Sequence, residues 1–404
     1  MTATTILGGF QTDFARAFAR EGHDIAELVR EVALGTLGSA AVEPAQIESI
    51  HVGNAFGQLY AGQGHLGAMP ATVVPELWGT PSMRHEAACA SGSIATLTAM
   101  AEIECGRYDC VLVLGAEQEK TMPGFEAASV QAAAAWVGHE TKGAEPVWPA
   151  MFEQVAAEYD TRYGLDEAHL RAIGELNLMN AKQNPNAQTR GWKLSAEHFA
   201  ADDDANPVVA GRLRRNDCCQ ITDGGAGIVL VSDRWLAEHG RAHDGVRIAG
   251  WGHRTVGLPI TPKLERSRGD AFVMPHVREA ITDAWGRAGI SGVDALDGIE
   301  THDCMTPSEY MAIDHFGITE PGQSWQAVEE GAIARGGRIP VNASGGLMGG
   351  GHPVGATGIR MLVDAAAQVR GDAGDMQIEG AHRMATLNIG GSTATTVSFV
   401  VEGG

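Results

Sequence analysis

Four short segments of this 404-residue chain hold residues whose chemistry is worth placing before anything else is read. The first is SMRHEAACASGS, which passes from extended-type residues through small ones into a helical stretch and so sets the sulfur of Cys89 at a helix start. Unpaired backbone N–H groups and the helix dipole favour negative charge there, which predicts a lowered thiol pKa, and the flanking Ala and Gly leave room for a bulky electrophile. The alternative for Cys89 is a buried cysteine that serves as a small hydrophobe. The second segment, NASGGLMGGGHPVGATG (342–358), surrounds His352 with glycines at another helix start. A histidine so placed takes a proton from a thiol and then offers its N–H to a developing oxyanion. An anion-binding loop is the competing reading, although the Lys-Ser/Thr ending of a nucleotide loop is missing.

In the third segment, THDCMTPSEY (301–310), His302 and Cys304 are two apart and share one side of an extended strand. The pair suits proton transfer, a metal half-site or an ordinary loop, and no second cluster completes a zinc tetrad, so no metal is expected. The fourth, LNIGGST (387–393), ends a buried strand on two glycines. The backbone N–H of Gly390 could enter the same cavity, although a plain strand-terminal turn is the simpler local reading.

The elements that must position these residues are legible as alternating strands and helices. Apolar β-branched runs predict strands near 108–117, 227–232 and 395–403, and helices over about 90–104 and 356–369. The two helices belong to a weak repeat: a Gly/Ala-rich turn with a reactive side chain, a helix, then a buried strand. A duplicated α/β unit follows, whose helix starts would converge if the halves pack about a pseudo-two-fold axis. Between them, residues 121–215 turn polar and helical, with two amphipathic helices in 148–183 and an irregular stretch over 184–207. An insertion of this kind is where substrate contacts are expected.

Composition narrows the partners. The chain is rich in glycine and carries a formal charge of −21, which repels nucleic acid and anionic membranes at long range, so an anionic cofactor needs local donors. Its six cysteines make no CxxC, which fits a reducing, cytoplasmic setting, and neither a leader nor a membrane-spanning run is expected.

At the four segments, and at GNAFGQLYAGQGH and NDCCQITDGGAGIVL, the sequence resembles the thiolase family from end to end. The resemblance implies an α/β thiolase fold: two duplicated halves in a five-layered α-β-α-β-α arrangement with a helical loop-domain insertion. The expected division is 1–120 with 216–245 for the first half, 121–215 for the insertion and 246–404 for the second half. Cys89 becomes the acylated nucleophile and His352 its histidine.

Two departures specify the subtype. Asn388 stands where ordinary thiolases have a CxGG cysteine, and HDCM resembles the HDCF of sterol-carrier-protein-type thiolases, with Met305 in place of Phe. By that likeness Cys304 exchanges the α-carbon proton, His302 and His352 hold the thioester oxygen, and the N–H groups of Cys89 and Gly390 form the other oxyanion hole. No lipid-transfer domain is expected. The implied activity is acyl transfer on acyl-CoA, by 3-ketoacyl-CoA thiolysis or the reverse Claisen condensation in lipid metabolism. Coenzyme A is then a substrate, and no cofactor is held permanently. A homodimer is implied, with a small zinc-ribbon/OB-fold subunit as a further partner. The alternatives are a partner-dependent carbon acyltransferase or aldolase of this fold, and a non-catalytic acyl-CoA or lipid-binding protein.

Overall fold

A computed structural model of the chain describes residues 3–143 and 146–403. Its strands are β1 (Thr4–Gln11), β2 (Ser49–Gly53), β3 (Ser82–His85), β4 (Cys110–Glu117), β5 (Val208–Ala210), β6 (Leu213–Arg214), β7 (Gly224–Ser232), β8 (Val246–Thr255), β9 (Gly298–Thr301), β10 (Arg383–Gly390) and β11 (Thr395–Gly403). All but the β5-β6 hairpin join in the order β3-β2-β4-β7-β1-β8-β11-β10-β9.

The duplication expected from the sequence is written in this order. In the first half β2 runs parallel to β4, which pairs antiparallel with β7, and β7 pairs antiparallel with β1. The second half repeats that pattern: β9 is parallel to β10, β10 antiparallel to β11, and β11 antiparallel to β8. Direct pairing between the half-sheets is confined to Thr4–Ile6 of β1 against Val246–Ile248 of β8.

Five layers follow. Helix Ile25–Ala40 covers the outer face of the first half, where Leu28, Val29, Val32 and Leu37 meet Leu112, Leu114, Val229 and Val231. Its start is fixed by a capping box, with Asp24 accepting from Ala26 N and Glu27 reaching back to Asp24 N. Helix Pro275–Ala288 covers the outer face of the second half through Val277, Ile281, Ala284 and Trp285. Between the half-sheets lie Ser91–Glu104 and Thr357–Arg370, whose Ala95, Ala99, Ile103, Ile359 and Leu362 pack against strands of both halves.

A helix with sheet on both sides has no polar face to spare, which is why Ser91–Glu104 is built of small and apolar residues. Thr357–Arg370 instead buries a charge cluster: Arg360 pairs with Asp364 at 3.0 Å and Glu300 at 3.1 Å. The interruption expected over 121–215 lies between β4 and β7. It contains helices Val147–Tyr163 and Glu167–Asn180 in the stretch read as two amphipathic helices. In the second half the equivalent connection, between β10 and β11, is only the Gly391–Ala394 turn.

Helix Pro275–Ala288 reaches β8 because of two glycines. A methyl group on Gly252 would run into the carbonyl oxygen of Ala280, and one on Gly250 into that of Ala284. Gly252→Ala is therefore expected to lower unfolding free energy by about 1–3 kcal/mol through overpacking, read by urea denaturation.

Candidate active site

The nucleophile turn is built by strain and by one serine. Ala88 is held at φ +50°, a left-handed conformation uncommon for alanine, so the chain reverses sharply between β3 and the helix that follows. Ser91 locks the bend, with its hydroxyl donating to Ala88 O at 2.6 Å and accepting from Ala87 N at 2.9 Å, while Glu86 accepts from Ala88 N at 2.7 Å. Cys89 thus arrives at the helix start, as its segment predicts.

The GHPVG loop is brought opposite by two buried carboxylates at the end of β4. Glu117 accepts from Gly355 N at 3.1 Å and from Ala55 N and Phe56 N at 2.8 and 3.0 Å, joining this loop to the GNAF segment. Glu119 accepts from Val354 N at 2.9 Å and from Gln131 Nε2 at 3.0 Å. Burial pushes Glu117 up to about 7 and Glu119 well above the carboxylate range, the neighbouring Glu117 adding to the effect on Glu119.

One ring nitrogen each from His302 and His352 and the sulfur of Cys89 lie within 4.8 Å of one another. The two imidazoles stand edge to face with centroids 5.2 Å apart. Their hydrogen bonds give them different tautomers. In His352 the Nδ1 atom lies 2.7 Å from Thr357 Oγ1, whose own hydroxyl donates to Pro353 O at 3.0 Å. Nδ1 of His352 must then carry the proton, and Nε2 presents a lone pair. His302 is the reverse: its Nδ1 receives Asn388 Nδ2 at 3.3 Å and Ile389 N at 3.4 Å. That leaves the proton on Nε2. Both Nε2 atoms are buried and unpartnered. One is a base and the other a donor. Three such atoms also suit a soft metal ion, but a protonated His302 Nε2 has no lone pair to give it.

Burial, reinforced by the Arg360 guanidinium, pushes His352 down to about 3 and His302 well below the usual histidine range, so both are neutral at working pH. For Cys89 the structure corrects the sequence reading. Burial, reinforced by the carboxylate of Glu119, pushes the thiol up to about 12, outweighing the N–H of Gly391 and its own N–H, which favour the thiolate. Desolvation exceeds the helix-start effect, and the resting pair is a neutral thiol beside a neutral imidazole.

His302 and Cys304 share a side, as their spacing predicts, while Asp303 between them turns away to accept from Leu347 N, Met348 N and Asn177 Nδ2 at 2.6, 3.1 and 2.9 Å. Cys304 lines a chamber of about 30 Å³ together with Cys89, His352, Cys219, Met305, Phe56 and Gly391. Trp148 and Phe152 from the insertion also line it. Gly390 presses against the nucleophile turn, where a side chain would strike Ala87 O and stand 3.2 Å from Ala90 N. The N–H found facing the sulfur is that of the next residue, Gly391.

Several residues of the site carry no local sequence signal. The Ser93–Asn388 hydrogen bond of 2.8 Å joins residues 295 apart in the chain, while Thr357 acts within its own loop, five residues after His352. Cys219, whose N–H donates to Cys304 O at 2.9 Å, adds a third thiol to the chamber.

Comparison with known proteins agrees with this geometry. Residues 4–157 match the thiolase N-terminal domain and residues 263–403 the thiolase C-terminal domain-like family. An acetyl-CoA acetyltransferase of Methanothermobacter thermautotrophicus is 31% identical over 99% of both chains. Human sterol carrier protein 2 is 27% identical over 97% of this chain and 71% of its own. Among solved structures, an Ltp2-ChsH2(DUF35) aldolase superposes with a TM-score of 0.79 at 18% identity, covering 99% of this chain and 98% of that one. The Syntrophomonas wolfei acetyl-CoA acetyltransferase does so with a TM-score of 0.72 at 19% identity, covering 100% and 99%.

The whole-length likeness is to acyl-transferring enzymes. The chain belongs to the thiolase family, with likeness to both its acetyl-CoA acetyltransferase and sterol-carrier-protein members.

Two outcomes test the site's electrostatics. Alkylation of Cys89 by iodoacetamide, followed by peptide mass, should rise about tenfold per pH unit from pH 7 to 10, where a preformed thiolate would already be level. Thr357→Val removes the acceptor that fixes the His352 tautomer and should slow Cys89 acylation at least about tenfold in stopped-time assays with an unchanged melting temperature.

Proposed function

We propose that this thiolase-type acyltransferase works on acyl-CoA thioesters through an acyl-Cys89 intermediate, using Cys304 as its second acid/base. The observation that carries this reading is the pair of opposed tautomers around one thiol. His352 Nε2 takes the Cys89 proton as the sulfur attacks the β-carbonyl of a 3-ketoacyl-CoA. The carbonyl π pair moves onto oxygen, where backbone N–H groups of Cys89 and the Gly390–Gly391 turn receive it. Collapse of that oxyanion breaks the bond between the α- and β-carbons. The released electron pair becomes the enolate of acetyl-CoA, whose oxygen is held by His302 Nε2–H and the newly protonated His352, and Cys304 protonates its carbon. A second CoA thiol gives its proton to the Cys304 thiolate and attacks the acyl carbon; the tetrahedral oxyanion collapses, the Cys89 C–S bond breaks, Cys89 takes its proton back from His352, and the acyl group departs on CoA. Read backwards, the same residues perform a Claisen condensation, with Cys304 as the base that removes the α-proton.

Support for coenzyme A as substrate comes from a cleft of about 450 Å³ that opens onto His352, Met305 and Cys219 and is lined by Arg20, Lys120 and Trp192. In a chain of net charge −21 these are local donors for phosphates.

We propose a homodimer as well, supported by the short β3, which ends the sheet with one edge unpaired among the described residues. A small zinc-ribbon/OB-fold partner is a second reading, favoured by the fold shared with the Ltp2-ChsH2(DUF35) aldolase. A cytoplasmic setting is in keeping with six free cysteines. No helix among the described residues is long and apolar enough to cross a membrane. The division into 1–120 with 216–245, 121–215 and 246–404 is proposed on the same footing.

Mass analysis of the tryptic peptide holding Cys89, after incubation with acetyl-CoA or acetoacetyl-CoA, tests the chemistry. An acyl adduct that vanishes in Cys89→Ala is expected. Cys304→Ala should retain the adduct from acetyl-CoA while losing carbon–carbon bond formation by about 10²-fold or more. Absence of any adduct in the wild-type protein, alone or with a copurifying subunit, would overturn the proposal.

A further inference from the structure

The turn that brings the Gly391 N–H to the Cys89 sulfur is strained and then held in place. It is the short Gly391–Ala394 connection between β10 and β11, and Thr393 within it sits at φ +60°. A β-branched residue in the left-handed region is an outlier that persists only where its surroundings fix it. Backbone bonds do part of this, with Ala394 N donating to Gly390 O at 3.0 Å and Val256 N to Ala394 O at 2.8 Å.

Two side chains do the rest. Lys263, on helix Ile260–Arg266, donates through Nζ to Ser392 O, to Ser392 Oγ at 3.1 Å and to Leu258 O at 3.0 Å. Ser392 Oγ in turn donates to Leu258 O at 2.8 Å. His276, in the first turn of helix Pro275–Ala288, has its Nε2 atom 2.9 Å from Thr393 O. A carbonyl oxygen only accepts, so that nitrogen carries the proton. The carbonyl oxygens of two successive residues are thus received by side chains, and the N–H of the residue just before them faces the sulfur.

An ammonium group is an unfavourable brace for an ordinary turn. Lys263 is only 8% exposed, and among the described residues no carboxylate pairs with it. Burial pushes it down to about 7, opposed only by the charge of Glu140, which is itself engaged with Ile260 N at 2.6 Å. Burial likewise pushes His276 down to about 4. A glycine at 393 and an aliphatic residue at 263 would give a relaxed turn with no buried charge. Strain and desolvation are instead both tolerated at one turn, the one beside the nucleophile, and such clustering points to function.

We propose that Lys263 and His276 are positioning residues for acyl transfer, which fix the N–H groups of Gly390 and Gly391 where the oxyanion forms by gripping the carbonyl oxygens of Ser392 and Thr393. The proposal rests on the thioester-transfer reading and deepens it. Neither side chain lines the Cys89 chamber or the coenzyme A cleft; both line a separate cavity of about 380 Å³ and act only through the turn. Donors aimed at a developing oxyanion serve the transition state, so loosening them slows the chemical step without weakening substrate binding.

The test uses two reactions of the same thiol in the full-length protein, both read by peptide mass. Acylation of Cys89 by acetyl-CoA builds negative charge on a carbonyl oxygen, whereas alkylation by iodoacetamide displaces iodide and forms no oxyanion. Lys263→Met keeps the aliphatic stem and removes the three donors. It should slow acylation at saturating acetyl-CoA about thirtyfold, with half-saturation within about twofold and alkylation within about threefold of wild type. His276→Leu should slow acylation about tenfold, and His276→Gln, whose amide N–H can still reach Thr393 O, should stay within about threefold of wild type. The histidine pair decides the matter where the lysine variant does not fold. Unchanged acylation in both Lys263→Met and His276→Leu, equal loss of acylation and alkylation, or a His276→Gln variant as slow as His276→Leu would overturn the proposal. Failure of the thioester-transfer reading itself is a different result, in which wild-type Cys89 is alkylated by iodoacetamide but takes no acyl group from acetyl-CoA.

Discussion

The site exists because backbone can touch backbone where the two halves meet. Gly355, just after the GHP histidine, lies so close to Gly53, Gly92 and Gly115 that a Cβ on any of the three would come within 2.9 Å of its carbonyl oxygen. Those three glycines belong to β2, to the nucleophile helix and to β4, so one residue of the second half is seated against three elements of the first. The two carboxylates at and just past the end of β4 then hold the same loop by its N–H groups. Side chains at these positions would push the helix starts apart, and the sulfur and imidazoles would no longer share a chamber. Buried carboxylates are unfavourable unless fully hydrogen-bonded. Here the groups they accept from would otherwise be buried donors without partners, so each deficiency offsets the other.

How far the sequence discloses this arrangement depends on the range of the interaction. Cys89 and His352 are legible because each sits in a local composition that few structural residues need, and the helix starts at Ser91 and Thr357 lie within a residue or so of their expected places. The duplication is legible too, because each copy repeats turn, helix and strand within a short window. The insertion reads correctly as helical for the same reason. By contrast, Asn388 and Ser93 are 295 residues apart. No periodicity or motif reports such contacts. The same holds for Glu117 and Glu119, which no motif singles out and which hold the GHPVG loop by its N–H groups.

The error over the Cys89 pKa has a distinct cause. A helix start favours the thiolate by its dipole, a local property that the sequence displays. Desolvation acts through everything packed around the sulfur, and the charge of Glu119 comes from another segment altogether. Both oppose ionisation, and together they prevail. On the proposed mechanism this thiol is then activated by proton transfer during attack rather than by a standing charge. A neutral resting pair also suits a chamber whose other titratable groups, His302, Cys304 and Cys219, are all held neutral by the same burial.

The two departures from the ordinary thiolase pattern are best understood as one change. Asn388 occupies the place of the CxGG cysteine and cannot exchange protons, so the proposed mechanism takes its second acid/base from Cys304, one of two further thiols in the chamber beside Cys219. Asn388 does more than vacate a role. Its Oδ1 accepts from Ser93 Oγ at 2.8 Å, which turns its Nδ2 towards His302 and, with Ile389 N, places the His302 proton on Nε2. A cysteine at 388 would offer only a weak S–H donor and a weak sulfur acceptor in place of these two amide bonds, leaving Ile389 N as the stronger donor to His302 Nδ1. The tight fit of Gly358, whose Cβ would strike Ser93 Oγ and stand 2.6 Å from Asn388 Oδ1, leaves no space for a different bridge. On the proposed mechanism His302, Cys304, Asn388 and Ser93 therefore form a coupled set: the asparagine helps orient the histidine as a donor, and the cysteine two residues after that histidine takes over the proton transfer that an asparagine cannot perform.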